Sequence, residues 1–115
     1  MNLLKETIKK LEDNGKFQAD VLWCGSDTFG WFMWGEFIAI ADVEYDPGFG
    51  GAEVAVDLLV VGKDFWLERH EYDGSEWWEF KTLPVRPAEY RKADKVICGS
   101  WQKNLKEIHD GEEYD

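Results

Sequence analysis

The residues best suited to chemistry lie in an acidic stretch, DVEYDPGFGGAE, residues 42 to 53. Asp42, Glu44, Asp46 and Glu53 occupy the first, third, fifth and twelfth places of a calcium-loop pattern, with Phe49 at the apolar eighth. Pro47, however, stands where the sharp turn of such a loop needs a glycine, and Glu44 is longer than the usual Asp or Asn. No helix is obvious after Glu53. A solvated acidic loop is therefore predicted, with no metal, and a metal-binding or hydrolytic domain built on residues 42–53 is the alternative reading. The glycines of GFGG complete neither a GxxxxGK(S/T) nor a GxGxxG motif, so no phosphate cradle is expected.

Other reactive side chains are scattered. Glu68 and Glu79 are candidates for a crowded carboxylate pair, whose two pKa values would be split. His70 and His109 are isolated, without HExxH or a third ligand. Cys24 and Cys98 form no CxxC pair, which excludes zinc-ribbon and thioredoxin-type motifs. A nucleophile made of Cys24 with His70 or His109 has no local support, and two reduced, mostly buried thiols are expected. No catalytic constellation emerges, and no cofactor is implied.

The elements that position these residues follow from composition and periodicity. A chain of 115 residues is read as a single domain, 1–115. At that length roughly 65% of the extended-chain surface is buried, enough for a core without staples. A hydrophobic content of 44%, with 7 tryptophans, excludes intrinsic disorder. No apolar run reaches the ~20 residues of a membrane span. The charged, amphipathic start MNLLKETIKKLEDNGK is unlike a signal peptide, which predicts a cytoplasmic protein.

Leu3, Leu4, Ile8 and Leu11 recur at helical spacing, and Asn14-Gly15 supplies a stop, so a helix is predicted over about 2–14. FQADVLWC and TFGWFMW read as a hairpin about GSD; in GEFIAIADVEYD the apolar run 37–41 would also suit a buried strand, but its alanines and Glu36 favour a short helix over about 36–44. Strands follow in EVAVDLLVV, DFWLERHEY and SEWWEFKTL; LPVRP then interrupts the sheet. AEYRKADKV is a possible short helix, and Ser100 a candidate N-cap for a last helix carrying Trp101, Leu105 and Ile108. The predicted class is α+β: a mostly antiparallel sheet of about five strands with an N-terminal helix, a short middle helix and a C-terminal helix.

The register of the last hairpin can be derived. Asp73-Gly74 fits a type I′ turn, which needs φ > 0 at both central residues. Tyr72 then pairs with Ser75, His70 with Trp77, Arg69 with Trp78, Glu68 with Glu79 and Leu67 with Phe80. Because side chains alternate, one face receives Phe65, Leu67, Trp78 and Phe80, with Arg69 near its edge. The other receives Trp66, Glu68, His70, Tyr72, Trp77 and Glu79, with Lys81. Either a helix covers this second face, or Lys81 stacks on Trp66, or the aromatic and acidic residues form a partner-binding surface. Glu68 opposite Glu79 is unfavourable unless a cation lies nearby.

Charge has two readings: an acidic middle and a basic C-terminal segment that neutralise each other in the fold, or an acidic face aimed at a partner. Between Glu36 and Glu79 the net charge is −10, whereas residues 80–106 carry +5. An acidic face suits a basic protein partner and disfavours direct nucleic-acid binding, which depends on Lys and Arg. Residues 41–87 resemble small uncharacterised acidic proteins of phages and mobile elements of Gram-positive bacteria. The residues carrying the resemblance are Glu44-Tyr45-Asp46, Gly48, Gly50, Asp57-Leu58, Leu67-Glu68-Arg69 and EYDGSEWWEFKTLP. It implies no activity, but it implies a small accessory or inhibitor protein that acts by binding. The expected function is thus a protein-binding domain, an inhibitor or nucleic-acid mimic acting on a basic host protein, with no membrane role. A structural homo-oligomer that buries the aromatic face is a further alternative.

Overall fold

The computed structural model describes residues 1–48 and 50–111. Phe49 and residues 112–115 lie outside them. The chain forms two compact units, 1–84 and 85–115.

The first unit is an α+β layer structure. Helix α1 (Leu3–Asp13) starts where the Asn2 side chain accepts the Lys5 amide at 3.0 Å, satisfying one of the orphan donors of the first turn. It ends where Gly15, at φ 72°, lets the Gly15 and Lys16 amides return to the carbonyls of Glu12 and Leu11. Its buried row is Leu3, Thr7 and Leu11. Strands β1 (Val21–Ser26), β2 (Gly30–Phe32), β3 (Leu59–Gly62), β4 (Phe65–Tyr72) and β5 (Ser75–Thr82) form one antiparallel sheet in the order β2-β1-β3-β4-β5. Helix α2 (Trp34–Ala41) lies in the connection between β2 and β3. Leu3, Leu11, Cys24, Phe37, Ala41, Val60, Phe65, Leu67 and Trp78 make the core, so both helices pack on the same side of the sheet.

The β4–β5 register is the derived one throughout, from Tyr72↔Ser75 to Phe65↔Thr82. Asp73 and Gly74 both have positive φ, 52° and 83°, as the I′ turn requires. Several boundaries differ from the sequence reading, each for a local reason. Residues 18–20 form a single 3-10 turn because the Asp20 carboxylate takes the Phe17 amide, so β1 begins at Val21. Helix α2 starts at Trp34 because the Glu36 carboxylate caps the Met33 amide at 2.8 Å. It stops at Ala41 because Val43 and Tyr45 pair instead with the start of the chain, through Leu3 N→Val43 O and Tyr45 N→Met1 O. Residues 53–58 stay out of the sheet, since the Glu53 and Val54 amides are held by the Glu76 carboxylate.

In the second unit, helix α3 (Leu105–Asp110) is capped by Asn104, which accepts the Glu107 amide at 2.9 Å. Ser100 and Trp101 precede it. Residues 88–96 are irregular; Tyr90 and Val96 are exposed, and helix propensity without a packing face does not sustain so short a segment. Arg91 pairs with Asp110.

Candidate functional site

The pairing pattern sorts every strand residue onto one side of the sheet. Opposed residues share a face, so the side away from α1 and α2 can be read row by row. One row runs Trp31, Gly25, Leu59, Glu68, Glu79; the next runs Trp23, Val61, Trp66, Lys81; a third pairs His70 with Trp77. All the expected site residues on β4 and β5, namely Trp66, Glu68, His70, Tyr72, Trp77 and Glu79, are on this face. The structure adds Trp23 and Trp31, which sequence reading did not place there. Their position depends on β1 pairing with β3 across more than thirty residues, and on the bulge between Val21 and Trp23. The inward alternation of Cys24 was the one local signal for Trp23.

Glu68 is the organised centre of the face. Its Oε1 accepts the Trp66 indole N–H at 2.7 Å and its Oε2 lies 2.7 Å from His70 Nε2. These three residues occupy alternate positions of β4, which brings their side chains into one line. The Trp66 hydrogen bond, then the one from His70, holds the Glu68 carboxyl below its ordinary range, and the Lys81 charge adds to this. An ionised carboxylate only accepts, so the His70 nitrogen facing it carries the proton. The cation that the Glu68–Glu79 opposition calls for is Lys81, on β5 of the same hairpin, whose charge acts on Glu68. Among the described residues Lys81 makes no cation–π contact with Trp66. Tyr72 is 77% exposed at the hairpin end and Trp31 is 68% exposed at the far strand. Between Trp23 and Trp31 lies a shallow depression of about 500 Å3, with Leu22 and Asp27 in its lining.

The opposite face carries a different polar cluster, buried at the edge of the core. Arg69 donates from Nη2 to Glu76 Oε1 at 2.8 Å and to the Tyr45 hydroxyl at 3.2 Å, and its Nη1 lies 3.5 Å from Glu6 Oε2. Its guanidinium sits 4.8 Å from the Trp78 ring centroid. Tyr45 in turn donates to Glu6. Burial of Tyr45, reinforced by that bond, pushes the phenol up to about 12. Burial opposes ionisation of Glu76, but bonds from the Glu53 amide, Arg69 and the Val54 amide outweigh it and keep its carboxyl below the usual range. Glu76 was not foreseen as buried. The signal was its diagonal position to Arg69, an inward cation that needs a partner.

The other sequence candidates are dispersed. Asp42 accepts from Asn2, Glu44 faces the N-terminal ammonium, Asp46 caps the Gly48 amide and Glu53 accepts the Asp46 amide. Among the described residues no group of carboxylates, histidines and cysteines is close enough to hold a metal ion. The calcium-pattern position Phe49 lies outside the described residues. Cys24 is buried on the helix side, where burial pushes its thiol up to about 12, while His70 faces the other way. His109 spends both ring nitrogens within the second unit, on Leu105 O and the Asp94 amide. Both cysteines are unlinked. Among the described residues no helix is long and apolar enough to cross a membrane. Compared with known proteins, the chain matches no family model, no curated protein and no solved structure.

Proposed function

We propose that the chain is a non-catalytic protein-binding module that takes a basic partner on the tryptophan face of its sheet. The observation carrying this reading is the gathering of Trp23, Trp31, Trp66 and Trp77 on the side away from both helices, around an ionised Glu68. Indoles supply large contact area, and binding energy in protein interfaces concentrates on such residues. The −10 charge between Glu36 and Glu79 provides long-range attraction to a positive surface. A concrete form is an inhibitor of a nucleic-acid-binding protein, whose lysines and arginines meet Glu68 and Glu79 where they would otherwise meet phosphates. The setting this reading supposes is the cytoplasm of a host cell, with the chain an accessory protein of a phage or mobile element.

Affinity capture from lysate at low and high salt, followed by titration of the purified captured protein, tests the proposal. Trp77→Ala should weaken binding by about 2 kcal/mol or more. The Glu68→Gln, Glu79→Gln pair should slow association and flatten its salt dependence. Unchanged affinity in Trp66→Ala and Trp77→Ala would remove the basis of the reading. A dimeric mass in solution that Trp66→Ala abolishes would assign the face to a second copy of the chain instead.

A further inference from the structure

On the helix side of the sheet the first unit holds a cavity of about 520 Å3. It lies among α2, the β1–β2 turn and the stretches 43–45 and 53–58, with Phe29, Phe32, Ile40, Val54, Ala55 and Leu58 in its walls. That volume is within the roughly 300–1,000 Å3 of small-molecule sites, which are mostly apolar with a few placed polar groups. Here the charged groups are all of one sign. Glu44, Glu53 and Asp57 line the cavity, and no lysine or arginine among the described residues does.

These carboxylates are set up to receive positive charge. Glu53 accepts the Asp46 amide at 3.0 Å and Asp57 accepts the Thr28 hydroxyl at 3.3 Å, neutral donors that leave both charges in place. Glu44 already faces a cation, the N-terminal ammonium, at 3.2 Å. Phe29 is 80% exposed and meets Phe32 edge to face at 6.3 Å, so its ring is available to a cationic group. Apolar walls favour a hydrocarbon body, while the acidic groups repel a carboxylate head and attract an ammonium.

We infer that this cavity binds a small organic cation: an alkyl or aromatic body seated against Phe32, Ile40, Val54 and Leu58, with its ammonium at Glu53 and Asp57. The inference is independent of the tryptophan face. Octylammonium and octanoate, alike in tail and opposite in charge, are the probes, titrated into the full chain by amide chemical-shift NMR. Octylammonium should saturate one site, with shifts concentrated at Phe29, Ile40, Val54 and Leu58. Octanoate should bind at least about tenfold more weakly, and the Glu53→Gln, Asp57→Asn pair should lower octylammonium affinity by about the same factor. Ala55→Trp, or Ile40→Trp where the first does not fold, should abolish binding by filling the cavity, whereas Trp77→Ala should leave it unchanged. Failure of octylammonium to saturate, equal affinity for octanoate, or unaltered binding in the charge-neutralised or cavity-filled variant would each overturn the inference.

Discussion

Trp77 and Trp78 share a peptide bond and face opposite sides of one sheet. Trp78 is 1% exposed and donates its indole N–H to Thr7 at 2.9 Å, a residue 71 positions away. Trp77 is only half-buried and lies opposite His70. The polar groups of the two faces differ in the same way. On the helix side, Arg69 donates from Nη2 to Tyr45 and to Glu76 and faces Glu6 across 3.5 Å, so that segments distant in sequence meet on it, while its Nε and Nη1 are buried without a hydrogen-bond partner among the described residues. On the other side, Glu68 finds Trp66 and His70 two residues to either side of it. The inner network depends on the whole unit having folded. The outer one is built within one strand, so a partner can use it without disturbing the fold.

Substitutions that break this contrast should rank by face. Trp78→Ala removes the largest fully buried side chain and takes from the Thr7 hydroxyl the indole donor it accepts; about 3–5 kcal/mol of stability should be lost in chemical denaturation. A loss as small as that of Trp77→Ala would mean the two faces are energetically alike. Glu76→Gln comes next, at about 2–3 kcal/mol, since it leaves the Arg69 charge poorly compensated.

Glu76 also sets a pH signature. Its folded pKa is depressed, so the unfolded chain binds more protons as acid is added. Its contribution is therefore complete above the unfolded value of about 4.3 and is lost as pH falls through the folded one. Denaturation midpoints measured downward from pH 6 should fall less steeply in Glu76→Gln than in the native chain. Parallel slopes would show that Glu76 is not the residue responsible.

Thr7→Val keeps the shape of the site and removes both the acceptor for Trp78 and the bond to Leu3 O, for a loss of about 1–2 kcal/mol. Trp77→Ala and Trp66→Ala should each cost under about 1 kcal/mol, as substitutions outside a packed core do. A large loss in either would show that the tryptophan face is structural.

What could be read from the sequence was what local chemistry determines. Asp73-Gly74 fixed the hairpin register because only one turn geometry satisfies two positive φ values, and everything on β4 and β5 follows by alternation. Helix α1 was legible from its apolar spacing, although the inward role of Thr7 was not, since threonine is not an apolar marker. The extent of β3 was hidden because a side chain from another strand, Glu76, competes with the ladder for the amides of Glu53 and Val54. Trp23 and Trp31 joined the site only through nonlocal strand order. Two of the four tryptophans on the face were therefore legible, and the two that were missed are the ones set by long-range pairing.

The bond between Thr7 and Trp78 also has a temporal meaning. Helix α1 leaves the ribosome well before the side chain that completes its buried row, which is 71 residues further on. At about 5–20 residues per second, synthesis leaves that row without its final partner for roughly 4 to 15 seconds. Closing so long a loop also costs entropy that is recovered only once the tryptophan docks. Assembly of this unit is thus a late event on the nascent chain, and a polypeptide stalled before residue 78 should present Leu3 and Leu11 to chaperones and proteases while the finished protein conceals them.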